Sequence, residues 1–363
     1  MSGTVFVNGK FTLQRTTGVQ RVAEQLVRAL DALSPQPGEP RWVLLHPPGG
    51  GLAALRRIEQ IAVGAPGRPL HLWEQWTLPR AARTGLLLNL TGSAPWFCRR
   101  QAVLIHDAAV FDHPEAYTAA FVAWYGALFA RLARRAERLF TVSVFSQARL
   151  AARLGVPASR LEILTNSADH LDSVVPDDSV LVRHDLRDRP FLLAVASANP
   201  TKNLAALVDA FATLAVPDLR LVIVGAANDR VFAPGGGGSD PPGVVRTGPL
   251  ADASLKALYR HAVALVFPSS YEGFGLPPLE AMAQGCPVAA SNAASLPEVC
   301  GDAALYFDPT SQAAIADAIT RLLGDSALRT RLRDSGRGQA SRFSWAASAT
   351  RLRAALEGVA ASR

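Results

Sequence analysis

The chain has 363 residues, and at about 150 residues per domain that length predicts two domains. Hydrophobic residues make up 49% and charged residues 18%, which excludes disorder, collagen-like repeats and disulfide-built miniproteins. The net charge of +7 arises from 37 basic and 30 acidic residues; only Lys10, Lys202 and Lys256 are lysines, so arginine carries the excess, which favours anionic partners such as phosphates, anionic lipid or nucleic acid.

Cys98, Cys286 and Cys300 form no C-x-x-C pair, so they predict neither a disulfide framework nor a zinc site and fit a reducing compartment. Residues 1–20 lack the apolar core of a signal peptide. The longest uncharged apolar-rich stretch, residues 116–130, stops at Arg131 and is too short to span a bilayer. The expected location is cytoplasmic, with peripheral contact to the inner membrane as an option.

In chain order, apolar runs predict strands at residues 5–7, 42–45, 86–90, 103–105, 139–142 and 161–164, with helical patterns at 19–33 and 117–138. Residues 168–190 break into Asp, Pro, Arg and His and read as an inter-domain link. A second series follows: strand 191–196, helix 203–214, strand 219–224, helix 253–260, strand 263–267, helix 277–284 and strand 287–290. Residues 312–323 and 327–357 read as helices only. The glycine tract at 235–238, with Pro241-Pro242, reads as a flexible loop. This alternation predicts two Rossmann-like doubly wound α/β domains facing each other across a cleft, at 1–175 and 176–345, with a helix at 346–363 packing back on the first. Ligands bind at the carboxyl ends of such sheets.

The strongest motif runs Tyr271-Glu272-Gly273-Phe274-Gly275-Leu276-Pro277-Pro278-Leu279-Glu280-Ala281, directly after the strand at 263–267. Gly273 and Gly275 allow unusual backbone angles and close approach of N–H groups to a ligand. The helix start adds N–H donors and partial positive charge, which suits a diphosphate. Glu272 and Glu280 lie about one sugar apart, and each carboxylate can accept two hydrogen bonds from a vicinal diol. The plain alternative is a glycine-rich turn with two surface glutamates. A second cluster is Ser197-Ala198-Asn199-Pro200-Thr201-Lys202-Asn203, where a cation at a strand-to-helix turn can neutralise a diphosphate leaving group; a helix-start surface lysine is the alternative. A third is Leu104-Ile105-His106-Asp107 at a strand end, where the polar pair either serves chemistry or caps the next turn. A fourth is the loop at Thr17-Gly18-Val19-Gln20-Arg21, where Gly18 permits close ligand approach or Thr17 simply caps a helix. No G-x-G-x-x-G fingerprint and no Asp-x-Asp motif occurs.

The Glu272–Glu280 spacing, with Gly285-Cys286-Pro287-Val288, Ser295-Leu296-Pro297-Glu298-Val299 and Gly301-Asp302-Ala303-Ala304, resembles the E-x7-E signature of retaining GT-B glycosyltransferases of family 4 (glycosyl transferases group 1). The likeness is to the bacterial polysaccharide-assembly type. It implies that the position of Glu272 holds donor-sugar hydroxyls and that of Glu280 the nucleotide ribose. Gly273, Phe274, Gly275 and Leu276 then meet the sugar and diphosphate through their backbones. It implies diphosphate binding at Lys202 with Ser197 and Asn199 beside it, a donor-sugar contact at His106 and a loop contact at Gly18. His106, Lys202 and Glu272 become the candidate catalytic set. The family usually carries an Arg about six residues before this Lys; here that position is Ala196. The stretch Gly248-Pro249-Leu250-Ala251-Asp252 resembles the segment that reads the nucleobase, with Leu250 at its centre, while Asp252 is equally placed to be a helix cap.

The implied activity is metal-independent, retaining transfer of a hexose from a nucleotide sugar to a saccharide or lipid-linked saccharide, with no cofactor and no nucleic-acid partner. GDP-mannose is the first expected donor and a UDP-sugar the second. A nucleotide-sugar epimerase and a non-catalytic polyanion- or membrane-binding protein are the rival readings. The aromatic and arginine-rich stretch at 117–138 either lies on an anionic membrane or packs as a core helix with a solvated basic end.

Overall fold

Short apolar runs that lack alternation suit parallel strands covered on both faces, and the computed structural model turns them into two parallel sheets. It describes residues 3–214, 216–225 and 240–361; the 235–238 glycine tract falls outside them. The chain divides into two compact units. Unit 1 comprises Met1–Ala108, Ala123–Asn166 and Ser344–Arg363; unit 2 comprises Ala109–Val122 and Ser167–Phe343.

Unit 1 is built on β1 (Thr4–Asn8), β2 (Arg41–His46), β3 (Glu59–Ala62), β4 (Leu86–Asn89), β5 (Gln101–Leu104), β6 (Arg138–Thr141) and β7 (Leu161–Ile163), in the order β3-β2-β1-β4-β5-β6-β7. Leu86, Leu87 and Leu88 of β4 are all fully buried. Helix α1 (Gly18–Ala32) buries Val22, Ala23, Leu26, Val27 and Leu30, the stripe a 3.6-residue period predicts. Helices α2 (Ala119–Arg135), which belongs to this unit from Ala123 onward, and α3 (Val144–Leu154) follow. A C-terminal helix, Trp345–Ala361, packs on α1 and buries Leu352 and Leu356 completely. Residues 70–81 are helical with a π turn at Trp73–Thr77 in the middle. Such bulges shift the facing of neighbouring side chains; here Trp73 and Glu74 are buried and Trp76 is exposed.

Unit 2 is built on β8 (Phe191–Val195), β9 (Arg220–Val224), β10 (Val244–Gly248), β11 (Ala264–Phe267), β12 (Val288–Ser291) and β13 (Leu305–Phe307), in the order β10-β9-β8-β11-β12-β13. Its helices are α4 (Leu204–Ala212), α5 (Asp252–His261), α6 (Leu276–Ala283), α7 (Gln312–Gly324) and α8 (Ser326–Ala340). Leu207 and Phe211 of α4 and Ile315, Ile319 and Leu322 of α7 join Leu192, Leu221 and Val266 in one core. The stretch at 168–190, expected as a link, is instead a packed part of this unit. Leu171, Val180, Leu181 and Leu186 are buried. The Lys256 ammonium on α5 donates to the carbonyls of Leu171 at 2.7 Å, Val174 at 2.9 Å and Asp172 at 3.3 Å.

Both sheets have the doubly wound order in which the direction of strand addition reverses once: beside β1 and β4 in unit 1, and beside β8 and β11 in unit 2. Crevices at the carboxyl ends of those strand pairs are where this architecture takes ligands.

Candidate functional site

In unit 2 the reversal lies between the loops that leave β8 and β11. Asn199 Oδ1 accepts from both the N–H and the hydroxyl of Thr201 at 2.9 Å, closing the turn Pro200–Lys202. Asn203 then adopts a left-handed φ of 53°, and its Nδ2 donates to the carbonyls of Pro309 at 2.8 Å and Pro268 at 3.3 Å. The Thr201 carbonyl accepts from Ser270 N at 2.8 Å and from the Ser270 hydroxyl at 3.2 Å. These bonds lock the two loops together. They set Lys202 Nζ 2.7 Å from Glu272 Oε1, with 22% of the lysine and 10% of the glutamate side chain exposed. The cation and carboxylate singled out from sequence are therefore a contacting pair that solvent reaches.

The loop after β11 is fixed on several sides. The Ser295 hydroxyl donates to the Glu272 carbonyl at 3.0 Å. The Tyr271 hydroxyl donates to Asp112 Oδ2 at 2.9 Å, and its ring meets His113 edge-on at 4.9 Å. Phe274 packs edge-on against Phe343 at 5.6 Å. Gly275 has φ 98°, and a Cβ there would sit 2.6 Å from Leu296 Cδ2, so conformation and space both demand glycine. Pro277 and Pro278 open α6 with no N–H groups. The amide donors that could meet an anion are thus those of the turn at Phe274, Gly275 and Leu276, fewer than a generic helix start offers. Ser197 and Leu250 are half-buried, at the exit of β8 and between β10 and α5. The cap of α5 is Ala251, not Asp252; Asp252 is the first helical residue and adds negative charge where the helix dipole favours it.

Glu280, in the second turn of α6, is 4% exposed. The Tyr259 hydroxyl donates to its Oε2 at 2.9 Å, and His170 Nε2 stands 3.2 Å from its Oε1.

In unit 1, His106 follows β5 and is half-buried. Its Nε2 lies 2.9 Å from the Leu90 carbonyl, so Nε2 carries the donated proton and Nδ1 is the acceptor of the neutral ring. Burial lowers its pKa, opposed by Leu90 and Asp107, which keeps the ring neutral. Gly18 starts α1 exposed, with no atom within 4 Å of a would-be Cβ. Thr17 caps the helix, its N–H donating to Gln20 Oε1 at 3.2 Å. The cap reading of this loop accounts for its structure, and nothing local demands glycine at position 18. In the stretch at 117–138, Leu128, Phe129 and Leu132 are buried, and Trp124 packs against His71 at 5.1 Å and Trp96 at 5.8 Å. Among the described residues no helix is long and apolar enough to cross a membrane. Burial pushes the Cys98 thiol up to about 11 and Cys286 and Cys300 to about 12, so none offers a thiolate near neutral pH.

Residues 183–339 match the family described as glycosyl transferases group 1. Over 260 residues the chain is 32% identical to the O-antigen chain mannosyltransferase B of Escherichia coli, covering 69% of this chain and 68% of that protein. The chain belongs to the group 1 glycosyl transferases. It is also 34% identical over 236 residues to the MMP alpha-(1->4)-mannosyltransferase of Mycolicibacterium hassiacum, covering 61% of this chain and 54% of that one. In fold it is similar to HepE of Anabaena, solved in complex with UDP-glucose: the TM-score is 0.75 at 15% identity, over 98% of this chain and 100% of that one.

This glycosyl transferase also contains partners that the sequence did not flag. His170 lay in the supposed link, and Tyr259 looked like a helix end; neither carries a local motif. In unit 1 the carboxyl ends of β1 and β4 hold a buried polar cluster. Lys10 Nζ donates to Glu74 Oε2 at 2.7 Å and to the Ser93 hydroxyl at 3.2 Å. Asn8 Nδ2 donates to Glu74 Oε1 at 3.0 Å and to Asn89 Oδ1 at 2.9 Å. The rarity of lysine could have drawn attention to Lys10, but Glu74 sits in the π turn, which no sequence period reveals.

Proposed function

We propose that this transferase moves mannose from GDP-mannose to a growing saccharide chain, with retention at the anomeric carbon and with protein groups rather than a metal ion stabilising the leaving diphosphate. The observation that carries the reading is the solvent-reached Lys202–Glu272 pair beside the Phe274–Leu276 amides at the carboxyl edge of the second sheet. An ammonium has three N–H donors, so Lys202 can hold Glu272 and a phosphate oxygen together. A unit charge about 4 Å from a phosphate oxygen is worth about 4 kcal/mol at intermediate dielectric, before desolvation. The turn amides add donors that need no reorganisation as charge builds on the leaving oxygen. In the transfer, the acceptor oxygen bonds to the anomeric carbon as the carbon–phosphate oxygen bond breaks, and the acceptor proton passes to the departing diphosphate. Glu272 binds hydroxyls of the sugar, Glu280 binds the ribose and the segment around Leu250 faces the base. Neutral His106 offers Nδ1 as an acceptor to the transferred sugar. With Ala196 in place of the family's second cation, the turn amides carry more of the diphosphate charge.

The names of the two mannosyltransferase relatives support the sugar, and the O-antigen relative supports a saccharide acceptor. Thermal unfolding in the presence of GDP, UDP, dTDP and their sugars tests the donor, because a ligand that binds the folded state raises Tm by mass action. GDP and GDP-mannose should give the largest rise. A larger rise with UDP-sugars transfers the reading to that donor, and no rise with any nucleotide overturns the site.

Contact with an anionic membrane is supported by a patch of unit 1. Trp76 and Phe97, 51% and 71% exposed, are joined by Leu72 at 47%. Trp76 and Leu72 line a shallow pocket of about 540 Å³ with Arg68, and Trp76 lines a second of about 740 Å³ with Arg68 and Arg80. The loop bearing Phe97 is tied to the same helical stretch, as Trp96 N donates to Gln75 Oε1 at 2.8 Å. An exposed tryptophan flanked by arginines, with an exposed phenylalanine on the adjoining loop, matches the headgroup region of an anionic bilayer. Vesicles containing phosphatidylglycerol should sediment the protein and pure phosphatidylcholine should not, and Trp76→Ser with Phe97→Ser should abolish the effect. Equal binding to both lipids, or to neither, refutes it.

A further inference from the structure

The two oxygens of Glu280 are each engaged from a different element. Tyr259, fully buried on α5, donates its hydroxyl to Oε2 at 2.9 Å. His170, from the turn Asp169–Leu171, brings Nε2 to within 3.2 Å of Oε1, a close polar contact rather than an aligned hydrogen bond, with its side chain only 1% exposed. The same helix sets both partners. Lys256, one turn before Tyr259, ties down the carbonyls of Leu171, Asp172 and Val174, which follow His170 directly. Farther along, Asp177 N donates to the Ala253 carbonyl at 3.0 Å, and the Ser254 hydroxyl donates to Asp177 Oδ2 at 3.0 Å. The segment that carries His170 is therefore stitched along α5, and α5 itself carries Tyr259.

A carboxylate held at one oxygen can still swing about its terminal bond, which is a soft torsion. Hydrogen-bonded at one oxygen and closely packed at the other, it has a fixed plane. We propose that Tyr259 and His170 are positioning residues that fix the plane of Glu280 so that it meets the 2′- and 3′-hydroxyls of a ribonucleotide together, and that this clamp sets the preference of the site for ribose over 2′-deoxyribose. The inference rests on the donor-binding reading of Glu280. It goes beyond that reading by naming the residues that give the carboxylate its selectivity, from a stretch of chain that reads as a link. A cis-diol needs two hydrogen bonds at once, and a rotated carboxylate satisfies only one. A site built to hydrogen-bond a hydroxyl discriminates strongly against the analogue that lacks it.

The test compares each variant's affinity for GDP and for 2′-deoxy-GDP by isothermal titration; the uridine pair replaces them if the wild type binds UDP instead. The wild type should favour the ribonucleotide by about tenfold or more, the scale of one hydrogen bond to a charged group. Tyr259→Phe removes one oxygen and keeps the ring. It should weaken GDP binding about tenfold, leave 2′-deoxy-GDP nearly unchanged and bring the ratio towards one. His170→Leu should move the ratio the same way, while His170→Gln, which keeps a polar group against Oε1, should restore part of the preference. KM for the donor should rise in step, with kcat little altered. If Tyr259→Phe does not fold, the His170→Leu and His170→Gln pair supplies the same ratio. A purely structural role lowers Tm in the variants and leaves the ratio where it was; that result overturns the clamp. A wild type that binds no nucleoside diphosphate overturns the donor-site reading instead, and the two failures are distinct.

Discussion

The first strand of each sheet ends at the point where strand order reverses, and each end is followed by a lysine paired with a glutamate. In unit 1 the pair is Lys10–Glu74, with side chains 10% and 1% exposed, closed in by Asn8, Asn89 and Ser93. In unit 2 the pair is Lys202–Glu272, 22% and 10% exposed, beside a turn whose glycine admits no side chain. The same topology thus carries two uses of one ion pair. Where protein partners close in on nearly every side, the pair is an internal brace, and breaking it leaves a largely buried charge. Where solvent and backbone amides remain at hand, the pair can share its cation with a ligand. Position in the fold alone does not distinguish them; the closure of the surrounding hydrogen bonds does.

Four variants probe the two units. The largest effect belongs to Lys202→Ala, which should lower transfer by about a hundredfold or more, the scale of losing one charge-stabilising donor, while Tm stays close to wild type. A Lys202→Ala enzyme with full turnover would collapse the distinction between the two pairs. Glu74→Ala should act the other way round. It should cost about 3–5 kcal/mol of stability by stranding the Lys10 ammonium, read as an earlier unfolding transition. Joint replacement by Lys10→Met and Glu74→Leu should recover much of that loss. If Glu74→Ala unfolds like the wild type yet loses transfer, the unit 1 pair is no brace. The smallest effect is expected from Gly18→Ala at the exposed start of α1. Stability should change by no more than about 0.5 kcal/mol, and donor KM should not move. A marked rise in KM would return Gly18 to the donor loop that the family resemblance implies.

The strands that periodicity missed are β3, β10 and β13, and all three are sheet edges. Glu59-Gln60-Ile61-Ala62 carries no apolar run because one side has no neighbour to bury against, and β13 spans only three residues. Central strands such as Leu86–Asn89 were legible because burial on both faces demands unbroken apolar sequence. The site was legible to the same degree. The glycine turn and Lys202 are written locally, since a positive φ and a cation need particular residue types. Tyr259 and His170 meet Glu280 from 21 residues away and from a different loop, and that meeting exists only after α5 has been laid against the chain. The effect of Pro277 and Pro278 was visible in the sequence, yet their missing N–H groups matter only once the turn beside them is seen to supply the donors.

The return of the C-terminal helix to unit 1 has a consequence for biosynthesis. All seven strands of that unit emerge from the ribosome by residue 163, but the helix that covers α1, with Leu352 and Leu356 wholly enclosed, comes after the entire second unit. Unit 2 can close on itself while still tethered to the translating machinery, whereas unit 1 must wait with α1 bare until the last turns arrive. The unit begun earlier is therefore completed after the later one, and a nascent chain halted at Phe343 would hold a finished second unit and an unsealed first.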